Sequence, residues 1–112
     1  MKITLDKIGT IVEDYNTTDL YNGNKLNNQL KELTSLLFYL ESIRSKAHNN
    51  YELVINTMVK DGNSVARATN EANVLHPEMY QLRRILTSGY RVIDAMRTNI
   101  SFVKEEMKNA AN

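Results

Sequence analysis

Basic side chains offer the clearest chemistry in this sequence. Five of them are candidates to contact phosphates, and they are Lys60, Arg67, Arg83, Arg84 and Arg91. At helical spacing the arginines of the later part form a flank beside an apolar seam, with Tyr80 and Tyr90 nearby. Cations that follow a backbone, with aromatic rings for bases to stack on, are typical of proteins that bind single strands with little sequence preference.

The same residues also fit a simpler interpretation, the solvated face of a helix. The whole chain is nearly neutral, because 14 Lys and Arg oppose 13 Asp and Glu, for a net charge of +1. A charge this small does not by itself indicate a nucleic-acid partner. Both interpretations stay open at this point.

Catalytic and metal chemistry is not expected. The chain has no cysteine, and its two histidines, His48 and His76, have no second ligand at metal-binding spacing. The adjacent carboxylates Glu13-Asp14 and Glu105-Glu106 point apart on a helix. We therefore predict a protein that is not an enzyme, with no catalytic residue, no metal and no cofactor.

An apolar stripe with alternating three- and four-residue steps runs from Val65 to Met107. This spacing is typical of a helix that packs along its whole length, in the manner of a coiled coil. A helix this long exceeds what a 112-residue chain can cover by itself, so we predict a homo-oligomer. The residues expected to form the packing and oligomer contact are Leu75, Met79, Leu82, Leu86, Gly89, Ile93, Met96, Ile100 and Val103.

The pattern as a whole predicts one all-α domain over residues 1–112. A short N-terminal helix and turn occupy 1–22, a first long helix 24–61 and a second long helix 63–108, the two long helices being antiparallel. Thr4 and Asn24 are the expected N-caps of the first two helices. Gly62 suits a left-handed C-cap, and Asn63 or Ser64 then begins the last helix.

Pro77 interrupts the second long helix. Proline lacks a backbone donor and disfavours helical geometry at the preceding residue, His76. We expect a kink or a break near 74–77, and in the case of a break Glu78 would lie in the first turn of a new helix.

The longest uninterrupted apolar run, 36–40, is far shorter than a membrane span. The opening Met1-Lys2-Ile3 has none of the features of a signal peptide. We predict a cytoplasmic protein with no membrane partner.

Two segments resemble the UvsY recombination-mediator family of T-even-type phages. Leu5-Asp6-Lys7-Ile8, followed by Glu13-Asp14, is similar to the short N-terminal helix of that family. The segment 93–104 is similar to the C-terminal helix of that family. It reads hydrophobic-Asp-Ala-hydrophobic-basic-Thr and later aromatic-hydrophobic-Lys. The family's basic patch is reduced here to Lys60, with Arg67 beyond the turn as a displaced equivalent.

The resemblance implies a non-enzymatic, ring-like oligomer that binds single-stranded DNA in the cytoplasm of a phage host. Its role would be to help a RecA-type recombinase load onto strands covered by single-strand-binding protein. Two alternatives remain, a helical module that inhibits or adapts a protein target, and an oligomeric sponge for a small anionic ligand. The first is favoured by a wide apolar face around Leu36–Ile43, and the second would use the same arginines.

Overall fold

The structure, a computed structural model, describes residues 1–111, and that part of the chain is helical without any strand. The helices are α1 (Lys2–Thr17), α2 (Gly23–Lys60), α3 (Val65–Leu75) and α4 (Glu78–Ala111). The predicted all-α class is confirmed. The predicted second long helix is broken near Pro77 into two successive helices, α3 and α4, which is one of the two alternatives expected there.

Helix α1 begins earlier than expected. Met1 holds the N-cap position without a side-chain hydrogen bond, and its carbonyl accepts from the Leu5 amide at 3.0 Å. Thr4 therefore lies inside the helix, and the prediction that it is the N-cap was wrong. At the other end the chain leaves the helix at Thr18, whose hydroxyl donates to the Asp14 carbonyl at 2.6 Å.

The cap of α2 is Asn22 and not Asn24. The Asn22 side-chain oxygen accepts a hydrogen bond from the Lys25 amide at 3.2 Å, and its carbonyl accepts from the Leu26 amide at 3.1 Å. Asn24 lies within the first turn of the helix. The capping oxygen therefore lies two residues earlier than the predicted N-cap, Asn24.

The connection from α2 to α3 matches the sequence prediction. Gly62 has φ of 99°, and two amides close the helix end: Gly62 donates to Val59 and Asn63 donates to Met58, at 3.1 and 3.0 Å. This double closure is the Schellman arrangement, which requires the left-handed residue that glycine supplies. Ser64 then caps α3 by accepting from the Arg67 amide at 3.2 Å.

Pro77 breaks the helix rather than kinking it. His76 has φ of −129° and ψ of 61°, which is outside the helical region, and α4 starts at Glu78. Glu78 lies in the first turn of α4, where a carboxylate interacts favourably with the helix dipole. The structure thus selects one of the two alternatives that the sequence left open.

The residues group into two compact units. The first unit contains Met1–Phe38 and the chain from Thr87 onward, and the second contains Tyr39–Leu86. Helices α2 and α4 contribute residues to both units.

In the first unit α1 and the early part of α2 pack with the later part of α4. Leu37 lies against Gly89, while Leu26 shares a groove with Ile100 and Val103, which is the register of antiparallel helices. The buried apolar residues of this unit are Ile8, Ile11, Leu26, Leu33, Leu37, Ile93, Met96, Ile100 and Val103.

The second unit consists of the later part of α2, all of α3 and the start of α4. A hydrogen bond from the Tyr51 hydroxyl to Asn73 Oδ1, at 3.0 Å, joins α2 to α3. The buried apolar residues are Leu40, Ala47, Ala68, Ala72, Leu82 and Leu86.

The predicted apolar stripe is largely buried within the single chain. Met79 is half-buried, and Leu75, the last residue of α3, is 54% exposed and does not pack as the stripe implied. The buried members are Leu82, Leu86, Gly89, Ile93, Met96, Ile100 and Val103. The homo-oligomer stays a prediction, and a second copy would have to contact other residues.

Candidate nucleic-acid interface

Lys60 and Arg67 flank the connection between α2 and α3. Lys60 is the last residue of α2, and Arg67 lies in the first turn of α3, fixed there because its amide donates to the Ser64 cap. Both side chains are exposed, and neither forms an ion pair with any of residues 1–111. The closed helix end therefore presents two cations to solvent close to one rigid turn.

Arg83 and Arg84 lie in the second turn of α4. Arg84 follows Tyr80 by four residues, so the two side chains share a helix face, and the guanidinium carbon lies 5.7 Å from the centre of the Tyr80 ring. This distance is within the range of a cation–π interaction. Tyr80 nevertheless remains 67% exposed. Arg84 therefore places a cation beside an exposed aromatic ring on the surface of α4.

The five predicted phosphate contacts lie at three places along the chain. Lys60 and Arg67 lie at the α2–α3 connection, whereas Arg83 and Arg84 lie beyond the helix break at Pro77. Arg91 belongs to the first unit and is exposed there, without an ion pair among the described residues. The structure therefore separates these residues into two pairs and one single residue.

Three other basic side chains of the second unit have carboxylate partners close in sequence, and one of them is His48, whose Nε2 lies 3.9 Å from Glu52 Oε1. Arg44 Nη2 lies 2.6 Å from Glu41 Oε1, one helical turn earlier on α2. His76 Nδ1 lies 3.1 Å from Glu78 Oε1, so this pair serves the helix start. Within residues 1–111 no group of three or more His, Cys, Asp or Glu is placed to hold a metal ion.

The helix break creates a groove that sequence patterns did not reveal. It has a volume of about 470 Å³ and is lined by Asn73, His76, Pro77, Met79, Tyr80 and Gln81. The signal that points to it is Pro77, because a helix break opens the surface on either side of it. The sequence identified the break but not the groove.

A polar network in the first unit was also missed. Gln29 is 6% exposed, and its amide nitrogen donates to Asp14 Oδ2 and to the Thr18 hydroxyl, both at 2.9 Å. This hydrogen bond, helped by Lys25 at 3.4 Å, holds the pKa of Asp14 below its ordinary value, against a smaller opposing effect of desolvation. A glutamine on the buried face of α2 interrupts the apolar pattern, and this interruption is the sequence signal that points to the polar network.

Tyr21 and Glu106 form a second polar link in this unit. The Tyr21 hydroxyl donates to Glu106 Oε2 at 2.8 Å, and that hydrogen bond to a carboxylate raises the pKa of Tyr21. Tyr15 and Asn99 are also hydrogen-bonded, with the Asn99 amide donating. These links connect α1 and the turn after it to α4.

The wide apolar face predicted around Leu36–Ile43 is not continuous. Leu37 and Leu40 are buried, but Phe38 and Tyr39 are exposed. The expectation that Phe38 and Tyr39 widen a packing face was therefore wrong for this chain alone.

None of the helices within residues 1–111 has an apolar stretch long enough to cross a membrane. Comparison with protein-family models, with curated proteins and with solved structures finds no match to this chain.

Proposed function

We propose that this chain is a non-enzymatic single-stranded-DNA-binding protein that acts as a recombination mediator. In this role, which the UvsY resemblance implies, it works as a homo-oligomer in the host cytoplasm and helps a RecA-type recombinase to load. The observation that supports DNA binding most is the pairing of Arg84 with the exposed ring of Tyr80 on α4.

The charge distribution adds support. Lys60 and Arg67 stay unpaired among the described residues, while Glu41 and Glu78 of the same unit are engaged by Arg44 and His76. These two carboxylates therefore do not neutralise the cations at the α2–α3 connection by direct contact, and phosphates can reach both cations. Contacts of this kind give an affinity that decreases steeply as salt concentration rises.

The first test is fluorescence-anisotropy titration of a labelled single-stranded oligonucleotide across a salt series. Changing both Arg83 and Arg84 to alanine should weaken binding at least about tenfold at low salt, while helicity by circular dichroism stays unchanged. The slope of log affinity against log salt should become shallower by about 0.7 for each phosphate that the variant no longer neutralises. Oligomer mass, measured alongside, should exceed that of a dimer.

The matched control changes Lys2 and Lys7 of α1 to alanine, which removes the same charge from the first unit. This control should bind within about twofold of the wild type. Equal losses of affinity in the two double variants would mean that binding depends only on net charge. Unchanged affinity in the arginine variant would mean that Arg83 and Arg84 do not contact phosphates.

A second function, a helical module that binds a protein target, is favoured by exposed apolar side chains in the second unit. Val74 and Leu75, at the end of α3, are both more than half exposed. Exposed apolar surface of this kind often marks a protein-interaction site. A protein partner that co-purifies in stoichiometric amount, with no retention of DNA at low salt, would select this function over the first.

A further inference from the structure

The groove at the helix break is large enough to hold a small ligand or one nucleobase. Its volume of about 470 Å³ lies within the range of about 300–1,000 Å³ that such sites occupy. All of its lining residues belong to the second unit. The groove adjoins the aromatic residue that carries the proposed function, because Tyr80 forms part of its wall.

Tyr80 supplies an aromatic surface that is fixed in place. It lies in the first turn of α4, and the Arg84 guanidinium is held over its ring at 5.7 Å. Base–aromatic stacking is tolerant of sequence, since every base has a π face. A base stacked here would lie next to the Arg84 cation, which is then well placed for a neighbouring phosphate.

The rest of the groove offers hydrogen bonds to the edge of a base. Asn73 uses its side-chain oxygen to accept from the Tyr51 hydroxyl, which fixes the amide and leaves its NH₂ group as a donor. Gln81 is exposed and supplies both a donor and an acceptor. Because amides of this kind can pair with several base edges, the lining suits a site without strict sequence preference.

We infer that the groove beside Tyr80 binds one nucleobase of a single strand, stacked on the Tyr80 ring, with Arg84 at the adjacent phosphate. This inference rests on the proposed function and adds the residue at which a base, rather than a phosphate, is recognised.

Replacement of the ring tests the inference directly. Tyr80→Leu should lower the affinity for a single-stranded oligonucleotide by about 5- to 150-fold, the range seen when a stacking residue is removed. Tyr80→Phe should bind within about twofold of the wild type, because it keeps both the ring and the contact with Arg84. Leucine is a good helix former and the position is exposed, so the variant should fold normally.

The matched control is Phe102→Leu. Phe102 lies on the same helix at 63% exposure, but in the first unit and outside the groove. Removal of this ring should leave affinity unchanged. A drop of the same size in the Phe102 variant would mean that any exposed ring contributes, and the inference would be overturned.

A tryptophan reporter gives a second and independent measurement. The chain contains no tryptophan, so Tyr80→Trp and Phe102→Trp each introduce a single tryptophan whose fluorescence can be followed. Stacking of a base should quench the fluorescence at position 80 as oligonucleotide is added and leave position 102 nearly unchanged. An oligomer of abasic sugar-phosphate should bind through charge but produce no quenching at position 80.

The outcomes separate this inference from the proposed function. Salt-dependent binding by the wild type, with equal affinity in Tyr80→Leu and no quenching at position 80, would overturn the base site and keep the DNA-binding function. Absence of binding by the wild type at low salt would overturn both. Weaker binding by Tyr80→Leu with an unchanged salt slope would support both.

Discussion

The two units bury their apolar residues in different ways. The first unit contains five of the seven largest fully buried side chains, Leu26, Leu33, Leu37, Ile93 and Met96, whereas the second contains Leu40 and Leu82. Three of the six buried apolar residues in the second unit are alanines, namely Ala47, Ala68 and Ala72. Because the stabilisation from burial scales with apolar area, the burial of large side chains contributes more in the first unit than in the second.

Polar links reinforce this difference. The Asp14–Gln29, Tyr15–Asn99 and Tyr21–Glu106 hydrogen bonds all lie in the first unit. The second unit contains one such link, the Tyr51–Asn73 hydrogen bond, together with the exposed apolar residues at the end of α3 and the groove beside Tyr80. The first unit thus combines more of the large buried side chains with more of the polar links between distant parts of its chain.

The largest expected effect comes from one substitution placed in each unit on the same helix. Leu33 in the first unit is 0% exposed, and Leu33→Ala should lower the free energy of unfolding by about 2–5 kcal/mol. Leu53 in the second unit is 64% exposed, and Leu53→Ala should change it by less than about 0.5 kcal/mol. Urea unfolding measures both, and losses of similar size would contradict the difference in burial between Leu33 and Leu53.

A smaller effect on stability is expected when each of two helical glycines is changed to alanine, and the two changes should have opposite signs. A Cβ at Gly89 would lie 2.6 and 2.8 Å from the two methyl carbons of Leu37, which is fully buried and has little room to move. The overpacking cost of about 1–3 kcal/mol should exceed the helix-propensity gain of about 1 kcal/mol. Gly89→Ala should therefore lower the melting temperature.

Gly9→Ala is the control for this pair. Nothing lies within 4 Å of a Cβ at Gly9, so the variant should be more stable by about 0.5–1 kcal/mol. A gain in melting temperature for both variants would show that α4 approaches α2 less closely than the Leu37 contact indicates.

The smallest expected effect is a pH dependence that originates in the first unit. The pKa of Asp14 is lowered in the folded chain, chiefly because the Gln29 amide donates to its carboxylate. A lowered folded-state pKa contributes stability that is present above the unfolded-state pKa and is lost as pH falls through the folded-state pKa. Thermal unfolding between pH 7 and pH 2 should thus show a shallower acid decline in Asp14→Asn than in the wild type.

Asp61→Asn, which removes a carboxyl group from the second unit, is the control for that experiment. It should follow the acid decline of the wild type. If Asp14→Asn and the wild type lose stability in parallel, the Gln29 hydrogen bond does not couple protonation to folding.

The sequence by itself determined the helical class and the turn chemistry. The left-handed conformation of Gly62 and the Ser64 cap follow from local backbone physics, which acts over a few residues and is readable from residue types. The break near Pro77 is also local in origin, although sequence could not decide between a kink and a break. That choice depends on which neighbours compensate the missing hydrogen bond.

Tertiary structure decided which helix covers the apolar face of another helix. The apolar stripe is visible in the sequence, but the contact of Leu37 with Gly89 shows that α2 of the same chain covers its later part. Periodicity identifies a face that will be buried and carries no information about the partner that buries it. The groove beside Tyr80 likewise depends on how the residues on either side of the helix break are placed, which no residue spacing encodes.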